Sequence, residues 1–169
     1  MAKVTVKNLL QRIVELLEKS LENQSIVTTS TSYPRFLNDR FIDNGDGTVY
    51  DNLKKITIIR RPHTDLPKQF KSEMNFADRE AACKVLRFAG KSNWRQPTRD
   101  ELESLRDFTT LNPCVDTDIF PDIKPAWYGT GEEVQGHSDW NWCVDFNGGG
   151  VYDDRKGVRS YVWPVRSSQ

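Results

Sequence analysis

The sequence predicts an α+β domain of short antiparallel strands and two helices, with an amphipathic helix ahead of it at the amino terminus. Three observations lead to that class. Within residues 139–166, Trp140, Trp142, Val144 and Phe146 recur at every second position, the period of a strand with one face in a core. Asn44-Gly45 and Asp46-Gly47 stand directly before Thr48, Val49 and Tyr50, which is how a tight turn feeds a strand. Between these two regions lie segments with helical spacing and helix start signals.

Composition bounds the function classes. The 169 residues suffice for one core of ordinary size plus a short appendage. The 24 basic residues balance 24 acidic ones, so the chain lacks the electrostatic footprint of a partner for duplex nucleic acid or an anionic membrane. No stretch has the apolar length of a membrane span, and the amino terminus lacks a signal-peptide pattern, which predicts a cytoplasmic or virion-associated protein. Cys83, Cys114 and Cys143 have neither the even count nor the spacing of a disulfide framework or zinc site, and are read as free, partly buried thiols.

Taken in order, residues 3–22 place Val6, Leu10, Ile13, Leu17 and Leu21 on one helical stripe with charges opposite. An amphipathic helix over 1–24 can pack on its own domain or join copies of the chain as an oligomer. The Ser/Thr-rich residues 25–32 read as a linker, and 33–169 as the main domain. Residues 43–52 form a hairpin turn; as a calcium loop they would need side-chain oxygens where Gly45 and Gly47 stand. Residues 54–61 are a second strand rich in β-branched side chains, and 62–74, with two prolines, a loop. A helix over about 76–89 places Ala77, Ala81, Val85 and Phe88 near one face, starting at Asn75 or Asp78 and stopping at Gly90. Thr98 and Glu101 make a capping box for the next helix, whose Leu102, Leu105 and Phe108 face inward. Trp94 anchors the loop between the helices. The triple-glycine run at 148–150 then turns the first terminal strand into the second, and Tyr161 to Val165 closes the fold.

In this reading the terminal strand has two jobs. Trp140, Trp142, Val144 and Phe146 are scaffold, Asn141, Cys143, Asp145 and Asn147 share the face displayed to solvent, and Asn141, Asp145, Asn147 and Asp153 should be replaceable together with thermal stability nearly unchanged. Tyr152, beside the glycine turn, is as readily exposed as buried. An enzyme needs a nucleophile, base or metal in mutual reach. His63 and His137 are the only histidines, the run His137-Ser138-Asp139 is consecutive and cannot converge as a triad, and no local pattern puts a histidine beside Cys143, the one thiol worth testing for reactivity. The reading is therefore non-enzymatic, with no cofactor, no metal and no catalytic residue.

Several strings, RFIDNGDGTVYDNL, NWRQPTRDELESL, LNPCVDTDIFPD, DWNWCVDFNGGGVY and YVWPVR, occur in the order seen in the Lcl C-terminal domain family, which the chain resembles over roughly residues 35–166. The resemblance implies a C-type-lectin-like fold, shared with formylglycine-generating-enzyme-like domains. In that fold two helices flank a small, mostly antiparallel sheet, the first and last strands of the domain pair, and the carboxy-terminal half carries a ligand surface. The chain departs from the pattern: it has KITIIRR where the family often has a tryptophan, and Trp127, Tyr128, Gly129 and Thr130 where it often reads Tyr-Trp-Ser-Ser. It also lacks the motifs of calcium-dependent sugar binding.

The chain is similar, too, to variable proteins of diversity-generating retroelements, which display a variable carboxy-terminal segment on this fold and are mutagenised at template adenines. Codons AAC and AAT changed at their adenines reach the residue types of Asn141, Cys143, Asp145, Asn147, Tyr152, Asp153, Gly157, Arg159 and Ser160. With Ser138, Asp139 and Asp154 these make up the candidate ligand-binding set. The expected function is a binder of a macromolecule, protein or glycan, on a variable surface. The alternatives are a glycan-binding surface adhesin and a structural module that oligomerises through the amino-terminal helix.

Overall fold

A computed structural model of the chain describes residues 35–167. The amphipathic helix expected over 1–24 and the linker over 25–32 lie outside the described residues. What is described is α+β: two antiparallel sheets and few, short helices. Among these residues no helix is long and apolar enough to cross a membrane.

The first sheet runs in the spatial order β1 (Arg35–Phe36), β2 (Phe41–Asp43), β3 (Thr48–Asp51), β4 (Ile56–Ile59) and β8 (Val165–Ser167). The expected hairpin joins β2 to β3, pairing Phe41 with Asp51 and Asp43 with Val49. Within its turn the carboxylate of Asp46 is held by Thr48 and by Lys91, 2.5 Å away, so the loop is closed by protein groups. All four residues of β4 are buried, which requires cover on both faces and a ladder on both edges. That makes β4 an interior strand, and it corrects the expected pairing of first and last strands: β8 pairs with β4 (Thr57 opposite Arg166), and β1 forms the opposite edge.

The helices differ in detail from the expected ones. Residues 62–74 are not plain loop: Pro62 starts one turn of helix, α1 (Pro62–Asp65), where its missing N–H costs nothing, and a 3₁₀ turn follows over Lys68–Lys71. Helix α2 (Phe76–Val85) starts at Asn75, whose side chain accepts from the Asp78 N–H, but its buried face is Arg79, Ala82 and Cys83. Ala77, Ala81 and Val85 point to solvent, the reverse of the expected stripe. The helix also stops at Val85, short of the expected end at Ala89, because Leu86 turns extended and the chain folds back so that Phe88 bridges Lys91. Helix α3 (Arg99–Glu103) has the expected capping box: the Thr98 hydroxyl accepts from the Glu101 N–H at 3.1 Å, and a Glu101 oxygen accepts from the Thr98 N–H at 2.8 Å. Leu102 and Leu105 are buried, whereas Phe108, expected inside, is exposed beyond the end of the helix.

The second sheet is β5 (Trp127–Val134), β6 (His137–Asp145) and β7 (Val151–Arg155), with β6 in the middle. Residues 160–165 tie the two sheets together. Tyr161 exchanges backbone hydrogen bonds with Trp127 and Gly129 of β5, and Val165, which opens β8, exchanges them with Arg95. Between these contacts Trp163 is fully buried, packs edge-on against Phe120 and Phe146, and donates from its indole nitrogen to the Ile59 carbonyl at 2.7 Å. Trp94 is buried in a neighbouring cluster with Phe70, Cys83 and Val162, as expected of a loop anchor.

Candidate functional site

Cross-strand pairs on one face of the second sheet define the site. Trp127 lies opposite Asp145, Gly129 opposite Cys143, Cys143 opposite Tyr152, and Asn141 opposite Asp154, so all of these share a face. The expected displayed face is thus a real geometric unit, but it is not uniformly displayed. Asn141 and Cys143 are each only 4% exposed. The Asn141 amide donates to the Trp142 carbonyl at 2.9 Å, and the Cys143 thiol points at the Tyr152 carbonyl at 3.5 Å. On the other face Trp140 and Trp142 are half-buried, Trp142 beneath the Arg99 guanidinium at 4.1 Å and Trp140 near Arg155 at 5.9 Å.

The expectation of one buried face and one solvent face therefore needs correcting, for a physical reason. A middle strand can be covered on both sides, and alternation reports polarity without reporting what packs on each side. Helix α2 and residues 158–160 cover the polar face, while the apolar face runs from the core at Val144 out to the rim at Trp140.

The cover is incomplete, leaving a pocket of about 230 Å³. Asn141, Cys143 and Ser160 line it as buried groups; Asp154, Arg155, Val158 and Arg159 line it from the β7 side; and Glu73 and Trp127 complete it. One Arg159 nitrogen donates to the Glu73 carbonyl at 2.5 Å, and an Asp154 oxygen accepts from the Arg155 N–H at 2.7 Å. Beside the pocket, the rings of Trp127 and Tyr152 stack at 4.7 Å with 33° between their planes, and they stay 40% and 47% exposed. Tyr152 lies over Gly150, where a side-chain methyl would overlap its ring.

The predicted site residues are divided by the fold. Asn141, Cys143, Asp154, Arg159 and Ser160 meet in the pocket, and Tyr152 stands next to it. Asp145 shares the face, but its carboxylate accepts from the N–H groups of Asn147 and Gly148 and so shapes the turn. Asn147 is exposed in that turn, and Gly157 sits in open space. Asp153 is exposed on the opposite face, across from Trp142. Ser138 and Asp139 are exposed at the start of β6, outside the pocket.

Glu73, Trp127, Arg155 and Val158, which line the pocket, and Arg79 behind it stand outside the set read from the sequence. Glu73 lies in a stretch without periodicity. Arg79, behind the pocket floor, looks like any charged residue of a solvent-facing helix until Gln96 and Ser160 are brought to it.

The chemistry at Cys143 is that of a thiol held protonated. Burial, with the carboxylates of Asp154, Asp153 and Asp145 nearby, pushes it up to about 12, and burial does the same for Cys83. All three cysteines are free and buried.

The profile of the Lcl C-terminal domain family matches residues 47–166, a span that begins at the end of the hairpin turn, takes in the helices and the second sheet, and reaches into β8. No curated protein matches the chain. With well over half of its length matched, from the strand that leaves the first turn to the one that closes the first sheet, the chain belongs to the Lcl C-terminal domain family.

Proposed function

We propose that this protein is a non-enzymatic binder which presents a variable surface on a C-type-lectin-like scaffold, as variable proteins of diversity-generating retroelements do, and that its ligand is a macromolecule. The carrying observation is the Trp127–Tyr152 pair. Two large rings are held rigidly against each other, one of them on a glycine, at the mouth of a polar pocket, with more than a third of each left in water. Rigid aromatic anchors flanked by adaptable polar groups are the composition of a paratope. Covering the exposed part of each ring contributes on the order of 1 kcal/mol. The Cys143 thiol, kept protonated at neutral pH, favours binding over nucleophilic chemistry as the work of this pocket.

The fold narrows which positions can vary. Asn141, Cys143 and Ser160 are buried, so substitution there disturbs packing, whereas Ser138, Asp139, Asn147, Tyr152, Asp153, Gly157 and Arg159 are exposed. The test is the neighbouring DNA. A near-copy of the codons for residues 138–162, differing chiefly at adenines and concentrated at those seven exposed positions, beside a reverse-transcriptase gene, is the expected result. A locus without such a repeat sinks the variable-protein reading. The glycan adhesin then takes its place, because a flat aromatic pair beside Asp154 and Asn141 also suits a sugar ring.

A further inference from the structure

Arg79 reaches from α2 across Gly129 and is 1% exposed. Its Nε donates to Gln96 Oε1 at 2.8 Å, and one terminal nitrogen donates to the Met74 carbonyl at 2.9 Å and to Ser160 Oγ at 2.8 Å. All three acceptors are neutral, and the other terminal nitrogen, Nη2, is buried with no hydrogen-bond partner among the described residues. A buried cation without a counter-charge, carrying an unsatisfied N–H₂ group, is costly to maintain. Burial lowers its pKa only to about 10, so it stays charged at neutral pH. The space is kept open for it: a methyl on Gly129 would overlap the guanidinium.

The charge lies at the back of the pocket. Cys143 is opposite Gly129 in register, and the Arg79 guanidinium lies against Gly129; Ser160 accepts from Arg79; and both Cys143 and Ser160 line the pocket. Because Ser160 Oγ accepts a hydrogen bond from Arg79, its own hydroxyl hydrogen is free to point at a ligand. At the mouth stand Arg159, Glu73 and Asp154, while the Arg155 guanidinium lies near Trp140 on the other face. The guanidiniums of Arg79 and Arg159 match the carboxylates of Glu73 and Asp154 in number, so it is the unpartnered N–H₂ group of Arg79, rather than a surplus of charge, that calls for one ligand carboxylate. The two carboxylates disfavour a sulfate or phosphate dianion. The volume admits a side chain and excludes a folded segment.

We propose that this pocket receives the carboxylate of an Asp or Glu side chain of a protein ligand, contacted by the Ser160 hydroxyl and the Arg159 guanidinium and backed by Arg79 as a positioning residue. The rest of the ligand then lies along Trp127 and Tyr152. That last placement rests on the binder reading above; the carboxylate site itself does not.

The test uses the full chain with ¹⁵N-labelled arginine, titrated at constant ionic strength with propionate, propionamide or sulfate while the arginine Nε resonances are followed. Propionate is expected to shift Arg79 and Arg159 along a saturable curve, and propionamide to leave them unmoved. Ser160→Ala and Arg159→Gln, both of which retain the Arg79 bonds to Gln96 and Met74, should each weaken propionate about tenfold, equivalent to about 1.4 kcal/mol. A non-saturating response, an equal response to propionamide, a stronger one to sulfate, or unchanged affinity in both variants overturns the proposal. Propionate binding without the adenine-directed repeat leaves the pocket standing and removes only the variable-protein reading; the repeat without propionate binding does the reverse.

Discussion

His63 sits half-buried between Tyr128 and Tyr161, with Nε2 2.6 Å from the Tyr128 hydroxyl and Nδ1 buried without a hydrogen-bond partner among the described residues. Burial, helped by the positive charges of Lys124 and Lys71, lowers its pKa from 6.5 to about 4. The unfolded chain therefore binds a proton between those values that the native state refuses. Stability is full above about pH 6.5 and is lost as the pH falls toward 4, by on the order of 2 kcal/mol after allowing for partial exposure. Asp122, whose side chain holds the Thr64 N–H, works in the opposite sense: burial raises its pKa, so it trims that loss at the acid end. Thermal unfolding of His63→Gln at pH 4.5 and pH 7.5 should show a smaller difference than the parent, and equal differences would refute the assignment. None of this was legible in the sequence, where His63 stands in a proline-bounded stretch and its ring partners, Tyr128 and Tyr161, lie in the far half of the chain. A similar separation hid Arg79 from Ser160, whereas the Thr98–Glu101 pair, three residues apart, could be read directly.

Helix α2 shows what periodicity does and does not carry. A period of 3.6 groups residues into stripes, and both the Ala77–Ala81–Val85 stripe and the Arg79–Ala82–Cys83 stripe are consistent with it. By composition the first looks like the inner one, yet the second is buried, because only there do Gln96, Ser160 and the Met74 carbonyl accept from the arginine. Ala81→Glu should therefore change stability by no more than about 0.5 kcal/mol. Ala82→Leu should cost about 1–3 kcal/mol through overpacking. Urea denaturation of the two variants decides between the stripes, and the opposite ranking would restore the stripe chosen by composition. In α3 the capping box is independent of such choices: Thr98→Ala should cost about 1 kcal/mol, and it also loosens Glu101, which grips Arg95 with two bonds of 2.7 Å.

At the scale of the whole molecule, residues 160–165 hold the two sheets to one core. Trp163→Ala removes the ring that packs on Phe120 and Phe146 and leaves the Ile59 carbonyl without its donor. A loss of about 3–5 kcal/mol is expected, with far-ultraviolet circular dichroism and tryptophan fluorescence reporting one common transition for both sheets. Separate transitions would show that the sheets are not joined through this residue. The sequence by itself determined the α+β class, the β2–β3 hairpin, the capping box, the period of β6 and the membership of its polar face, because each depends on residues within a few positions of one another. Only the tertiary structure decided that β8 closes on β4, that Asn141 and Cys143 are the floor of a pocket, that α2 buries an arginine, and that Trp127 meets Tyr152. A repeat tells which side chains share a face, but burial is set by what arrives from elsewhere in the chain. Here the arriving residues, Glu73 and Arg79 among them, carry no local pattern that marks their destination.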